Sequence, residues 1–224
     1  MQDIIYLLVQ HYPEFLHGTW ITINVSIVGL ALGMLMGLPL AIMRIYGGKR
    51  LNKIAELYIG FFRGTPLLVQ LFLIYYGLPE IGLTFNQMTA AYIAMGLNSA
   101  AYQAEYFRGA IVSIRHSQMM AARAIGMNKF KAILFIILPQ AFRLVIPSWA
   151  NEAIGMIRAS SVLFLIALPD VMGVGKILSA RYFTPLAAYT DVALIYIVII
   201  FFLGFLFNKL EKRLRIPGLD VELK

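Results

Sequence analysis

From Thr19 to Met43 the chain is mostly apolar and carries no charged residue, and about 20 such residues suffice to carry a helix across a bilayer. A surface helix of a soluble domain would instead show a polar face every few residues. Similar runs recur further along, and the composition follows. Hydrophobic residues make up 60% of the chain, charged residues 13%, and the mean hydropathy is +0.78, against roughly half apolar and a quarter charged in soluble domains. The chain reads as an all-α integral membrane protein. Its 224 residues leave no length for a second globular domain once several spans are subtracted, so one domain over residues 1–224 is expected. It has no Cys, which removes thiol catalysis, Cys-based metal sites and disulfides.

A net charge of +8 would suit nucleic acid if it lay along one soluble face. The basic residues instead sit in short loops between apolar runs, the positive-inside pattern of membrane proteins, and no nucleic-acid partner is expected. Arg44, Lys49, Arg50 and Lys53 surround the Gly47-Gly48 turn with no acid among them. That places the turn in the cytoplasm and the N-terminus outside. Residues 1–18 read as a short amphipathic or irregular lead broken by Pro13. Asp3 and Glu14 without any Lys or Arg, and an Ile4 to Val9 run too short for an h-region, argue against a cleavable signal. In the first span, residues 19–43, Gly29, Gly33 and Gly37 recur at helical spacing. Such a stripe lets another helix approach closely, within the chain or across a dimer seam.

The second span covers about 55–78. Pro66 removes a backbone donor and disfavours helical geometry at Thr65, so a kink or loosened turn is expected there. Arg63 is costly at mid-bilayer, roughly 2.5 to 3.5 kcal/mol on the insertion scale. It snorkels, pairs with Glu56 or another helix, or contacts substrate. Residues 79–87 carry no cation and read as an outside loop. In the third span, about 88–111, Asn98, Tyr102 and Glu105 fall three and four residues apart on one helix face, for inter-helix hydrogen bonding or for lining a cavity.

Residues 132–168 are too long for one straight span and are interrupted by Pro139, Pro147, Asn151-Glu152 and Arg158. One span plus a broken or re-entrant piece keeps Lys209, Lys212, Arg213 and Arg215 inside, and two spans would put them outside. Non-helical backbone at membrane depth is tolerated only where it is buried or lines a cavity. Residues 147–161 are therefore the best cavity candidate, with Asn151, Glu152, Arg158, Ser160 and Ser161 as polar content. Glu152 and Arg158 would also serve to neutralise each other or Arg63. Residues 169–190 read as an outside loop, and a last span over 192–207 ends in the basic cluster. About five spans result, with the N-terminus outside and the C-terminus cytoplasmic. Of the loop cations, only Lys176 and Arg181 lie outside, whereas Arg108, Arg115, Arg123, Lys129, Lys131 and Lys224 join the inside set.

Between the third span and this region runs Ser117-Gln118-Met119-Met120-Ala121-Ala122-Arg123-Ala124-Ile125-Gly126, continuing to Ile136-Ile137-Leu138-Pro139. A small-residue helical surface, a glycine break and a cationic flank make a docking knob at the cytoplasmic face. No Walker-type loop, H-E-x-x-H or G-x-S-x-G occurs, and His11, His17 and His116 are too scattered for a metal site. The chain is not expected to be an enzyme or to bind a metal or cofactor.

This stretch resembles the EAA loop of permease subunits of ABC importers: Glu-Ala-Ala, three residues, Gly, nine residues, Ile-x-Leu-Pro. Ala121, Ala122, Gly126, Ile136, Leu138 and Pro139 fall where the pattern places them, and Met120 stands where the family has glutamate. Arg63-Gly64-Thr65-Pro66-Leu67 and Ala101-Tyr102-x-x-Glu105 followed by Arg108 resemble the polar amino-acid permeases. The family often has an acid before the pair Ser160-Ser161, where this chain has Ala159.

The resemblance implies the permease subunit of a type I importer of the histidine/arginine/glutamine permease-like family, in a prokaryotic cytoplasmic membrane. Its partners would be an ABC ATPase subunit using ATP and Mg, a second permease chain in a homo- or heterodimer, an extracytoplasmic solute-binding protein and membrane lipid. The cytoplasmic coupling loop spans about 115–135, with Met120, Ala121, Ala122, Arg123 and Gly126 at the ATPase. The substrate pathway takes Arg63, Asn98, Tyr102, Glu105, Asn151, Glu152, Arg158, Ser160 and Ser161. A secondary transporter or channel would need Glu105 and Glu152 as its ion-handling groups, and a structural scaffold would need no cavity.

Overall fold

The computed structural model of the protein describes the backbone of residues 2–114 and 116–214 and the side chains of residues 6–114 and 117–214. Arg115, Arg215 and Lys224, assigned above to inside loops, lie outside the described residues. The described chain is nearly all helix. A short helix α1 (Gln2–Gln10) leads into α2 (Tyr12–Tyr46), α3 (Gly48–Gly64) and α4 (Leu67–Phe72), which runs on through a π turn and a 3-10 turn to Ile81. The central helix α5 (Gln87–Ser113) follows, then two short helices, α6 (His116–Ala124) and α7 (Lys129–Ala132). A π turn over Ile133–Ile137 opens into α8 (Leu138–Ala159) and a 3-10 stretch to Ile166, and α9 (Val171–Tyr182) and α10 (Pro185–Leu214) complete the bundle.

Three helical runs are long and apolar enough to cross a membrane: Tyr12–Tyr46, Lys129–Ile166 and Pro185–Leu214. The pair Gly48–Gly64 and Leu67–Ile81 makes a fourth, bent by 101°. Helix α5 is 27 residues long but is diluted by polar side chains and is not among these apolar runs. It forms the centre of the bundle because its surface is small: Ala90, Ala91, Ala94, Ala100, Ala101 and Ala104 are all fully buried. Small residues let helix backbones approach, which is what drives association where lipid is as apolar as Leu.

The glycine stripe of α2 is the matching surface. A Cβ at Gly37 would lie 2.9 Å from the Ala100 carbonyl oxygen, and one at Gly33 2.7 Å from Ser99 Oγ. The stripe is thus an intramolecular packing face. The lead, read as amphipathic or irregular and broken by Pro13, is helical. Pro13 sits in the first turn of α2, where its missing N–H costs nothing, so it starts the helix and does not break it.

Residues 132–168 also differ from expectation. All but the last two form part of one 38-residue helical run, Lys129–Ile166, and Pro147 is absorbed within α8. Residues 147–161 are therefore not a non-helical, re-entrant cavity wall. Pro139 does leave a mark. It has no N–H for the Phe135 carbonyl, and the turn before it widens into the π form. The Gln140 side-chain amide donates to the Ile136 carbonyl at 2.7 Å. The run ends at Ala167, which adopts a left-handed φ of 59°.

The segment read as an outside loop, 169–190, contains α9. Its Val171, Val174 and Leu178 pack with Phe15 of α2 and Val192 of α10. Asp170 caps α9, accepting from the Gly173 N–H at 2.9 Å, and is fully buried. Burial pushes its carboxyl up to about 6.

Candidate functional site

Two constellations stand out, one at a helix break and one at the loop end of the bundle. At the break, Pro66 forces Thr65 into an extended conformation, φ −116° and ψ 142°. The carbonyls freed at the end of α3 are taken by one side chain. Gln70 Nε2 donates to the Phe62 oxygen at 2.9 Å, the Thr65 oxygen at 3.0 Å and Thr65 Oγ1 at 2.8 Å. Asn98 of α5 closes the network, donating to Gln70 Oε1 at 3.1 Å and to the Phe62 carbonyl at 3.2 Å. The broken span is thereby fixed to α5.

One turn along α5, the guanidinium of Arg63 lies over the Tyr102 ring, 5.3 Å from its centroid. Arg63 itself is exposed. Glu105, on the same α5 face, accepts from Arg44 of α2 and from Arg108 Nη2 at 2.9 Å. Asn98, Tyr102 and Glu105 thus share a face as expected. Two of them address the broken span and the third addresses α2.

A neighbouring face of α5 meets α8. Ser99 Oγ donates to Glu152 at 2.7 Å and Tyr106 OH at 3.3 Å, and Glu152 is 9% exposed. Gln103 donates to the Leu30 carbonyl at 2.9 Å and accepts from Trp149 Nε1 at 2.9 Å. Glu152 therefore pairs with hydroxyls, not with Arg158 or Arg63. The acid nearest in sequence to Arg63, Glu56, takes Lys53 at 3.3 Å. Arg158 and Asn151 are exposed on α8. Ser160 and Ser161 turn back onto the Ile157 and Arg158 carbonyls at 2.8 and 2.7 Å, so their hydroxyls already have acceptors. Sequence reasoning gave no site role to Gln70, Gln103, Tyr106 or Trp149. The available signal was position: Gln70 is polar just past a helix break, and Tyr106 lies two turns from Ser99 on one face.

At the loop end, α6 stops in a Schellman motif. The Met127 N–H donates to the Ala122 carbonyl at 3.1 Å and the Gly126 N–H to the Arg123 carbonyl at 3.1 Å. Gly126 holds a φ of +85°, a conformation that glycine adopts freely. Asn128 then starts α7 by accepting from the Lys131 N–H at 2.8 Å. Ala122 is buried against the chain itself at 4% exposure, whereas Met120 is 59% and Ile125 78% exposed. Ala121 and Arg123 also face outward. Met119 packs under the loop on the cluster of Phe107, Ile111 and Ile137. Lys129 Nζ sits 5.1 Å from the Tyr46 ring centroid and anchors the loop to the end of α2.

The bundle thus has one span broken just past a charged side chain and an apolar-tipped loop projecting from one end. Residues 29–216 match the family described as "Binding-protein-dependent transport system inner membrane component". The chain is 38% identical over 207 residues to the probable amino-acid ABC transporter permease protein YckA of Bacillus subtilis, covering 92% of each. It is 34% identical over 206 residues to the glutamine transport system permease protein GlnP of Escherichia coli, covering 91% of this chain and 94% of the other. The crystal structure of an amino acid ABC transporter with histidines superposes with a TM-score of 0.85 at 34% identity, over 92% of this chain and 96% of that one. The MetNI methionine ABC transporter, inward facing, shares the fold at a TM-score of 0.81 and 16% identity, over 92% and 99% of the two chains. The chain belongs to the family of binding-protein-dependent inner-membrane transport components.

Proposed function

We propose that this chain, the permease subunit of an ABC amino-acid importer, moves a polar amino acid across the inner membrane by alternating access. A separate ATPase subunit, using ATP and Mg, docks on α6. A second permease chain completes the pathway, and an extracytoplasmic solute-binding protein delivers substrate. The observation that carries this reading is the loop. Its α6 is stopped by a complete Schellman motif and anchored through Met119 and Lys129, so a push on it is transmitted to α5 and α8 and not lost in a flexible turn.

Met120 and Ile125 give the knob an apolar tip. The ATPase surface that receives it is correspondingly apolar where Met120 replaces the family glutamate, with Arg123 beside it for a polar contact. Substrate passes the broken span, where an exposed Arg63 stacks on Tyr102 beside the Gln70–Asn98 network. Backbone irregularity at membrane depth belongs beside a cavity, and an intramembrane ionisable side chain belongs to a pathway.

The test is co-purification with an ATPase subunit, followed by ATPase assays in proteoliposomes with a binding protein and a panel of amino acids. Capture of the ATPase and stimulation by one amino-acid class support the reading. Uptake that persists in vesicles without any ATPase would replace it with a secondary transporter.

A further inference from the structure

We infer that the amino acid carried has a neutral or acidic side chain, not a cationic one, and that Arg63 holds its carboxylate. This rests on the importer reading above. The observation is that the carboxylates of α3, α5 and α8 are all engaged, whereas the guanidinium at the break is free. Glu80 and Glu211, exposed and unpaired among the described residues, lie at the far end of the broken span and near the end of α10. Glu105 is held between Arg44 and Arg108, with only 15% of its side chain exposed. Glu152 accepts from Ser99 and Tyr106 and is 9% exposed. Asp170 and Asp191 are fully buried. Glu56, the remaining acid on α3, has Lys53 at 3.3 Å.

Arg63, by contrast, is exposed and has no carboxylate within 4.0 Å among the described residues. Its one named contact is the Tyr102 ring. Stacking occupies the face of a guanidinium and leaves the N–H edge free for a carboxylate. Arg158, on α8, is exposed and likewise unpaired among the described residues. A lysine or arginine side chain entering here would meet cations and no free acid, and a buried charge without a partner is strongly disfavoured. A second copy of this chain across the pathway would repeat the same charges.

The experiment uses the complete permease–ATPase complex in nanodiscs without binding protein, so that the membrane site alone is read. Glutamine, glutamate, arginine and lysine are titrated by calorimetry, and ATPase stimulation is then measured with binding protein added. Glutamine or glutamate should bind and arginine and lysine should not. Arg63→Gln should weaken that binding by roughly tenfold or more, and Arg63→Lys by less. Binding of arginine or lysine as tight as that of the neutral and acidic ligands would overturn the inference and leave the importer standing. So would unchanged affinity in Arg63→Gln. If no amino acid stimulates the ATPase with binding protein present, the importer reading falls and this inference falls with it.

Discussion

Gly126 shows how a single backbone angle sets the shape of the loop. A Cβ there would meet nothing within 4 Å, so any effect of substitution comes from its φ of +85° and not from a clash. Gly126→Val should strain the motif by about 1–2 kcal/mol. Uptake should then fall out of step with ATP hydrolysis, while membrane insertion stays intact. Gly126→Asn, which tolerates the left-handed region, should retain most coupling, and the ratio of ATP hydrolysed to substrate moved checks both. Asp170 yields a pH prediction. Its folded pKa of about 6 lies above the ordinary value of 3.8, so the native state binds the proton more tightly than the unfolded chain. Stability should therefore fall as pH rises from about 4 to about 6 and level off above, by on the order of 2–3 kcal/mol. Asp170→Asn should remove that slope in melting curves of the purified protein. Nothing in the sequence distinguished Asp170 from a solvated loop acid. Its backbone packs on Gly18 of α2, where an added Cβ would lie 3.0 Å from the Asp170 carbonyl, a contact between residues far apart in the chain.

Elements were legible where local chemistry decides them. Pro66 predicts a loosened turn, and the span does break, by 101°, because Gln70 supplies the hydrogen bonds that the proline takes away. Pro147 sends the same signal and produces no break, since the helix around it continues on both sides. A proline removes one donor, but whether the helix opens depends on what stands ready to satisfy the freed carbonyl, and that partner comes from tertiary structure. The glycine stripe left two readings open for the same reason, and packing resolves it: α2 against α5. Gly37→Ala would place a Cβ 2.9 Å from the Ala100 carbonyl oxygen and 3.0 Å from the Ala104 nitrogen. Both are backbone atoms that cannot rotate away, so a loss of about 1–3 kcal/mol is expected. Gly204→Ala in α10, where nothing lies within 4 Å, should instead match or exceed the wild type in thermal stability, because Ala is the better helix former. Melting temperatures of the two variants, measured side by side in one detergent, decide whether the stripe is a seam of this fold.

At the scale of the whole molecule, orientation is the property that composition constrains and helix packing does not. The loops at Gly47-Gly48 and around α6 and the end of α10 are rich in Lys and Arg. The turns near Gly82 and Phe183 carry little positive charge beyond Lys176 and Arg181. Positively charged loops are retained on the cytoplasmic side, and the helical run Lys129–Ile166 is long and apolar enough to cross once, so the two groups of loops are expected on opposite faces. That orientation would bring α6 to the compartment that holds ATP. The absence of Cys makes this directly measurable, because a single introduced thiol is the only site for a maleimide. Thr84→Cys and Phe183→Cys, at positions exposed in turns, should react with a membrane-impermeant maleimide in intact cells. Ile125→Cys and Lys212→Cys should react only after permeabilisation. Labelling of Ile125→Cys from outside would invert the molecule and separate α6 from any ATPase. Labelling of Thr84→Cys and Lys212→Cys from the same side would change the number of crossings and break the five-span bundle.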